Sequence, residues 1–189
     1  GLNNVFSSLT IASTATIGAT TYNVGTGSAL TTWFDVDSGI TYLFAATSAP
    51  IVIFRYDPTT DEWTAVQAID SADANRIVTG MKSIDNIIYL TTGSALSEGN
   101  IWRSTDGMLD PPFTQLGSTP AAQYARGIAV GADQTVYFGS SNGIIYALRN
   151  NSLSVEYSDI GTRINDIDIF ANTLVAGTGG EGRVYTVNL

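Results

Sequence analysis

Cysteine and histidine are both missing from this 189-residue chain. Without cysteine there is no disulfide, no thiol nucleophile and no thiolate zinc site. Without histidine there is no imidazole metal ligand and no Ser-His or Cys-His catalytic pair. Lysine is nearly absent too, since Lys82 is the only one. Eight basic residues stand against seventeen acidic ones, a formal charge of -9. Such a surface repels phosphate backbones, so no nucleic-acid partner is expected. No apolar run is long enough for a transmembrane helix. The opening GLNNVFSSLTIAS lacks the basic region and apolar run of a signal peptide. A stretch with a helical apolar period and helix caps is also missing.

What is present is an apolar fraction of 44%, enough for a real core. The apolar runs are short, β-branched or aromatic, and bounded by Gly, Asn, Asp and Ser, which predicts strands and tight turns. Four segments share one order of strand, turn, strand, turn, strand: Thr31 to Pro58, Arg76 to Gly107, Ala125 to Asn151, and Arg163 to the end. Labelled A, B and C, their A–B turns are Asp37-Ser38-Gly39, Ile84-Asp85-Asn86, Ala132-Asp133-Gln134 and Phe170-Ala171-Asn172. The B strands centre on Tyr42, Tyr89, Tyr137 and Val175. A fourth strand, D, follows in three repeats: Glu62–Ile69, Pro112–Leu116 and Leu153–Ile160. The B centres lie 47, 48 and 38 residues apart. That interval, about 40–50 residues, is the length of a four-stranded propeller blade.

These residues also carry resemblances. YDPTTDEW, Tyr56 to Trp63, resembles the C–D hairpin of a kelch blade. RSTDGMLDPPF, Arg103 to Phe113, resembles the Asp-box turn of sialidase-like propellers, with Ser104 and Asp106 in place and Gly107 one position early. TVYFGSSNGIIYAL, Thr135 to Leu148, resembles the repeat of quinoprotein-type propellers. The resemblances agree on strand order and imply a β-propeller. The fold expected is all-β, a single domain of four blades of four antiparallel strands. Val5–Ile11 is expected to lie beside Arg183–Val187, so that the N- and C-terminal strands close the ring and remove two open edges. The alternatives are five blades, with residues 1–30 as an extra partial blade, or a partial propeller. Residues 1–34 carry no charge. Within them, 12–29 are expected to form an uncharged insertion or arm, contacting a partner chain or folding back on blade one.

In a propeller the B–C and D–A loops gather around one mouth of the central channel. Arg76, Arg126 and Arg163 fall at the start of three A strands and are expected to face that mouth. Together they would bind a carboxylate or sulfate, or each would pair with a neighbouring acid, Asp73 for Arg76 and Asp166 for Arg163. The sialidase-like resemblance makes an acidic sugar the implied ligand. Tyr124, Glu98 and Glu181 lie on loops of the same end and complete the candidate ligand-binding set. Carboxylate pairs are the acid–base chemistry still open, with Glu98, Glu181, Asp70, Asp73 and Asp166 as candidates. Asp166 and Asp168 share one strand face. Asp57, Asp106 and Asp110 sit in C–D turns at the opposite end and are expected to cap turn amides. No catalytic residue and no metal site is assigned. No cofactor is expected, although STDGMLD and DIGTRINDID offer oxygens for a structural calcium. The function expected is a non-enzymatic module that binds glycan or protein, or a structural building block, on an extracellular or virion surface. Self-assembly through residues 12–29 is a further expectation. The alternative is a small glycan-processing hydrolase using carboxylates.

Overall fold

The computed structural model describes residues 11, 13–69, 76–94, 98–104, 112–120, 123–150, 152–180 and 182–189. A hairpin comes first, β1 (Thr14–Ile17) with β2 (Thr20–Asn23). Sheet one follows: β3 (Gly27–Asp35), β4 (Ile40–Thr47), β5 (Ile51–Asp57) and β6 (Glu62–Ile69). Sheet two holds β7 (Ile77–Ile84), β8 (Ile87–Gly93), β9 (Asn100–Ser104) and β10 (Phe113–Ser118). Sheet three holds β11 (Ala125–Val130), β12 (Val136–Ser140), β13 (Ile145–Arg149) and β14 (Ser152–Tyr157). Sheet four holds β15 (Ile164–Phe170), β16 (Thr173–Thr178) and β17 (Val184–Asn188). Each sheet is an antiparallel meander in chain order, the architecture of consecutive propeller blades.

The turns explain the meanders. At β7–β8 the two turn residues Asp85 and Asn86 have φ of 49° and 63°, and at β15–β16 Ala171 and Asn172 have 46° and 62°. Two left-handed residues in succession make the mirror-image turn whose twist matches that of the flanking strands. At the kelch-like hairpin Tyr56 pairs with Trp63 in register, their rings 5.3 Å apart, and the Tyr56 hydroxyl donates to Asp61 at 2.7 Å. Ser104, from the Asp-box-like run, accepts the Ile88 amide at 2.8 Å. Asp106 and Asp110 lie outside the described residues.

Alternation along each strand sends one side-chain set to each neighbouring sheet. On β4, Tyr42, Phe44 and Ala46 turn toward sheet two and meet Ile88 and Leu90 of β8. On β8, Tyr89 turns toward sheet three and meets Val136 and Phe138 of β12. On β12, Tyr137 turns toward sheet four and meets Leu174 and Ala176 of β16. The inner strands β3, β7, β11 and β15 pack in that order. Polar ties span the joints: the Trp33 indole donates to the Asn86 carbonyl at 2.6 Å, and Gln67 exchanges two bonds with the Phe113 backbone.

Sheet one keeps a second apolar face, formed by Ala45, Val52 and Phe54. The β1–β2 hairpin lies across it with Ala15, Ile17 and Tyr22. The uncharged arm is thus a two-stranded cover on its own chain, over the β5–β6 side of the face on which a preceding blade would pack. Its outward residues are Thr14, Thr16, Thr20 and Thr21. Among the described residues β17 pairs with β16 alone, and β15 does not pack on β3 as the other inner strands pack on one another. The expected closing strand, Val5–Ile11, lies outside the described residues except for Ile11, and Ile11 packs on sheet one rather than beside β17. The described sheets therefore form an arc with two end faces, that of sheet one and that of sheet four.

Candidate functional site

Loops between successive sheets and loops between second and third strands meet at one end of the arc. Backbone bonds show this directly: Ser141 N donates to Tyr124 O, Gly179 N to Arg163 O, and Ala49 N to Arg76 O. The three expected arginines all enter here, because Arg76 and Arg163 immediately precede β7 and β15 and Arg126 is the second residue of β11. Their environments differ. Arg76 is buried and its Nη1 donates to the Glu98 backbone carbonyl at 2.6 Å. That guanidinium holds a loop together. Arg126 is half-buried, with its guanidinium 5.7 Å from the centre of the Tyr124 ring. Its Nε is buried without a hydrogen-bond partner. Arg163 is exposed, and its stem runs across Gly179 so closely that a Cβ there would collide with it. Tyr124 rests against Gly93 in the same manner.

Burial, and next to it the charge of Arg163, hold Arg126 below the ordinary arginine value. The structure thus brings Arg126, Arg163 and Tyr124 into one neighbourhood. Among the described residues neither Arg126 nor Arg163 has a carboxylate at ion-pair distance. The expected partner of Arg163 is engaged elsewhere, since Asp166 Oδ1 accepts the Ile167 amide at 2.9 Å. Glu98 is half-buried on the loop after β8. Glu181, Asp70 and Asp73 lie outside the described residues.

Lys82, which the sequence reading passed over, crosses the inside of the arc. Its Nζ meets Asp168 Oδ1 at 2.8 Å, joining the inner strand of sheet two to that of sheet four. Burial works to raise the Asp168 carboxyl. The hydrogen bond from Lys82, the Ile169 amide and the lysine charge outweigh it and hold the group below its ordinary value of 3.8. A channel cavity of about 400 Å³ lies beside this bridge, lined by Thr79, Met81, Lys82, Ile128, Asn165 and Asp166. The one signal in the sequence was that Lys82 is the sole lysine; its partner is set by tertiary packing.

The opposite end carries turn carboxylates. Hydroxyl hydrogen bonds from Ser38, Thr59 and Thr135, with turn amides, hold Asp35, Asp57 and Asp133 below the usual carboxylate value. They satisfy turn donors, as expected for Asp57. Among the described residues no group of three His, Cys, Asp or Glu side chains is placed to hold a metal ion.

No family model matches the chain, and no curated protein matches it either. Solved structures do. The computationally designed protein Ika4 is 16% identical, with a TM-score of 0.58 over 87% of this chain and 92% of that one. The designed protein Ika8 is 16% identical, with a TM-score of 0.58 over 86% of this chain but only 46% of that one. Regucalcin, a calcium-binding protein from Agrobacterium tumefaciens, is 16% identical, with a TM-score of 0.65 over 89% of this chain and 59% of that one. The chain therefore spans nearly all of Ika4 and about half to three-fifths of the other two. At such identities the likeness shows the fold, a β-propeller architecture.

Proposed function

We propose that the chain is a non-enzymatic binding module whose arginine-bearing end takes the carboxylate or sulfate of an acidic glycan. One observation carries the reading: Arg126 and Arg163 enter the same end near enough for their charges to interact, without a described carboxylate partner, in a chain with more than twice as many acids as bases. Placing two like charges together costs stability, and an anion between them removes that cost. Tyr124 adds an aromatic wall on which the face of a sugar ring can stack. The lack of cysteine and histidine and the turn-capping roles of Asp35, Asp57 and Asp133 support binding without turnover. The acidic, lysine-poor composition supports display on an extracellular or virion surface.

A glycan array with uronic-acid, sialylated and sulfated ligands beside their neutral counterparts tests this reading. Binding confined to the acidic members is expected. Arg126→Met and Arg163→Met should each weaken it at least about tenfold, the size of one lost charge-assisted contact. Equal binding of neutral and acidic glycans, or none, overturns the reading. Turnover of aryl glycosides that disappears in Glu98→Gln moves the chain to the hydrolase class.

A further inference from the structure

The end faces of the arc are complementary by the chain's own construction rule. At every internal joint the onward face of one sheet packs on the receiving face of the next. Tyr42 of β4 meets Ile88 of β8, and Tyr137 of β12 meets Leu174 of β16. In sheet four the onward position equivalent to Tyr137 is Val175, and nothing described lies on it. Phe170 and Val184 stand on the same side and are 78% and 67% exposed. In sheet one the receiving face is covered by the hairpin only toward β5 and β6. Toward the inner strand it stays open, with Leu30 and Phe34 63% and 47% exposed. A groove of about 440 Å³, lined among others by Ala29, Leu30, Leu43 and Trp63, runs along it. Phe34 and Phe170 each lie beside the first turn of their sheet, so they stand at the same level of the arc.

We propose that a second copy of this chain fills both openings, the onward face of sheet four in each copy packing on the receiving face of sheet one in the other. Two head-to-tail contacts then close a ring of eight sheets with one twofold axis. Charge favours this occupant. A chain of net charge -9 resists association with itself least where one of the two faces brought together is uncharged, since the aspartates of sheet four then meet no like charge. The receiving face is uncharged, presenting Leu30, Phe34, Leu43, Ala45, Val52 and Phe54. Proportion favours it as well, because the same arc that accounts for nearly all of Ika4 accounts for 46% of Ika8. A fold of this kind accommodates a second arc of equal length.

The test is the solution mass of the 189-residue chain by light scattering and sedimentation. A species of about 40 kDa is expected, twice the 19.9 kDa of one chain, dissociating on dilution. Leu30→Asp and Phe170→Asp should each raise the dissociation constant at least tenfold, while Arg126→Met leaves it unchanged. Mixing the two aspartate variants should restore association in part, because one of the two contacts in the mixed pair is then native. A symmetric contact of like faces would show no such rescue. Circular dichroism of each variant confirms folding. A mass of one chain at high concentration, an unlimited ladder of sizes, or failure of the mixed variants to associate overturns the proposal.

Discussion

Sheets one and four follow the same plan, and their inward faces are equally apolar: Phe44 and Ile53 in the first, Leu174 and Ala176 in the last. Their end faces part company. The end face of sheet one carries Val52 and Phe54, and the hairpin of Ala15, Ile17 and Tyr22 shuts them from water. The end face of sheet four carries Asp166, Asp168, Val175, Val184 and Thr186, with Asp168 tied to Lys82 across the channel. An arc of blades must finish two faces that every internal blade leaves to its neighbour. Here one is covered in part by a hairpin, and the other has its apolar side chains diluted with polar ones. The same residue type therefore carries very different weight at the two ends, since Phe54 is 3% exposed and Phe170 is 78% exposed.

That contrast sets the largest expected effect. Phe54→Ala removes a ring packed between sheet one and the hairpin, and should cost about 3–5 kcal/mol of unfolding free energy. Phe170→Ala, measured in dilute protein where copies are apart, should stay within about 0.5 kcal/mol of the parent. Urea denaturation of both variants makes the comparison. Equal losses would mean that the end face of sheet four is as closed as that of sheet one.

Next comes the joint that holds sheet four. Gly127 has φ of +57°, and a Cβ there would collide with the backbone of Ile167. Gly127→Ala therefore strains β11 and pushes β15 away, at an expected cost of about 2–3 kcal/mol. The three tryptophans, Trp33, Trp63 and Trp102, all lie in sheets one and two. If the loss is local to the far half, the far-ultraviolet dichroism of the variant should melt before its tryptophan fluorescence. Coincident transitions would show that the arc unfolds as one unit.

A smaller gain is expected at the first turn of sheet four. The corresponding turn of sheet two has Asp85 and Asn86 in the left-handed region, whereas here Ala171 is held at φ 46°. Alanine tolerates that conformation poorly, at a cost of about 1 kcal/mol. Ala171→Gly should raise unfolding free energy by about 0.5–1 kcal/mol, whereas Asn86→Ala at the matching turn should lower it. Unfolding curves that move the other way at Ala171 would remove backbone strain from the account of this end.

Much of the architecture was legible because its signals are local. Asp85-Asn86 and Phe170-Ala171-Asn172 marked turns, and Tyr42, Tyr89 and Tyr137 marked strand centres, all from residues adjacent in sequence. Arg126 and Arg163 were placed at the same end by strand order alone. The fate of Arg76 was not legible. Position at a strand start fixes where its Cα lies, but not that its guanidinium turns to the Glu98 carbonyl. The arm was half legible: the absence of charge before Asp35 announced a surface in need of cover, yet only tertiary packing shows that sheet one supplies it. Lys82 stayed hidden for the same reason, since its partner lies 86 residues away.

The Lys82–Asp168 bridge gives the smallest effect and the finest test of how the two ends are related. Both side chains are largely in solvent, with 36% and 71% exposure, so the pair should contribute less than about 1 kcal/mol. Its sign with pH is fixed. Asp168 titrates below 3.8 in the folded chain, so its contribution is complete above that value and disappears as pH falls through the folded one. Lys82→Met should therefore lower stability slightly at neutral pH and lose its effect once pH falls below the depressed titration of folded Asp168, where the carboxyl is protonated in folded and unfolded chains alike. The turn carboxylates Asp35, Asp57 and Asp133 draw on hydroxyls and amides rather than on Lys82, so the rest of the acid transition should be unchanged. Added salt should also shrink the difference between parent and variant, because an exposed pair is screened. A Lys82→Met effect that persists undiminished at low pH and high salt would come from packing of the lysine stem on the channel wall. The span from sheet two to sheet four would then be held by contact rather than by charge.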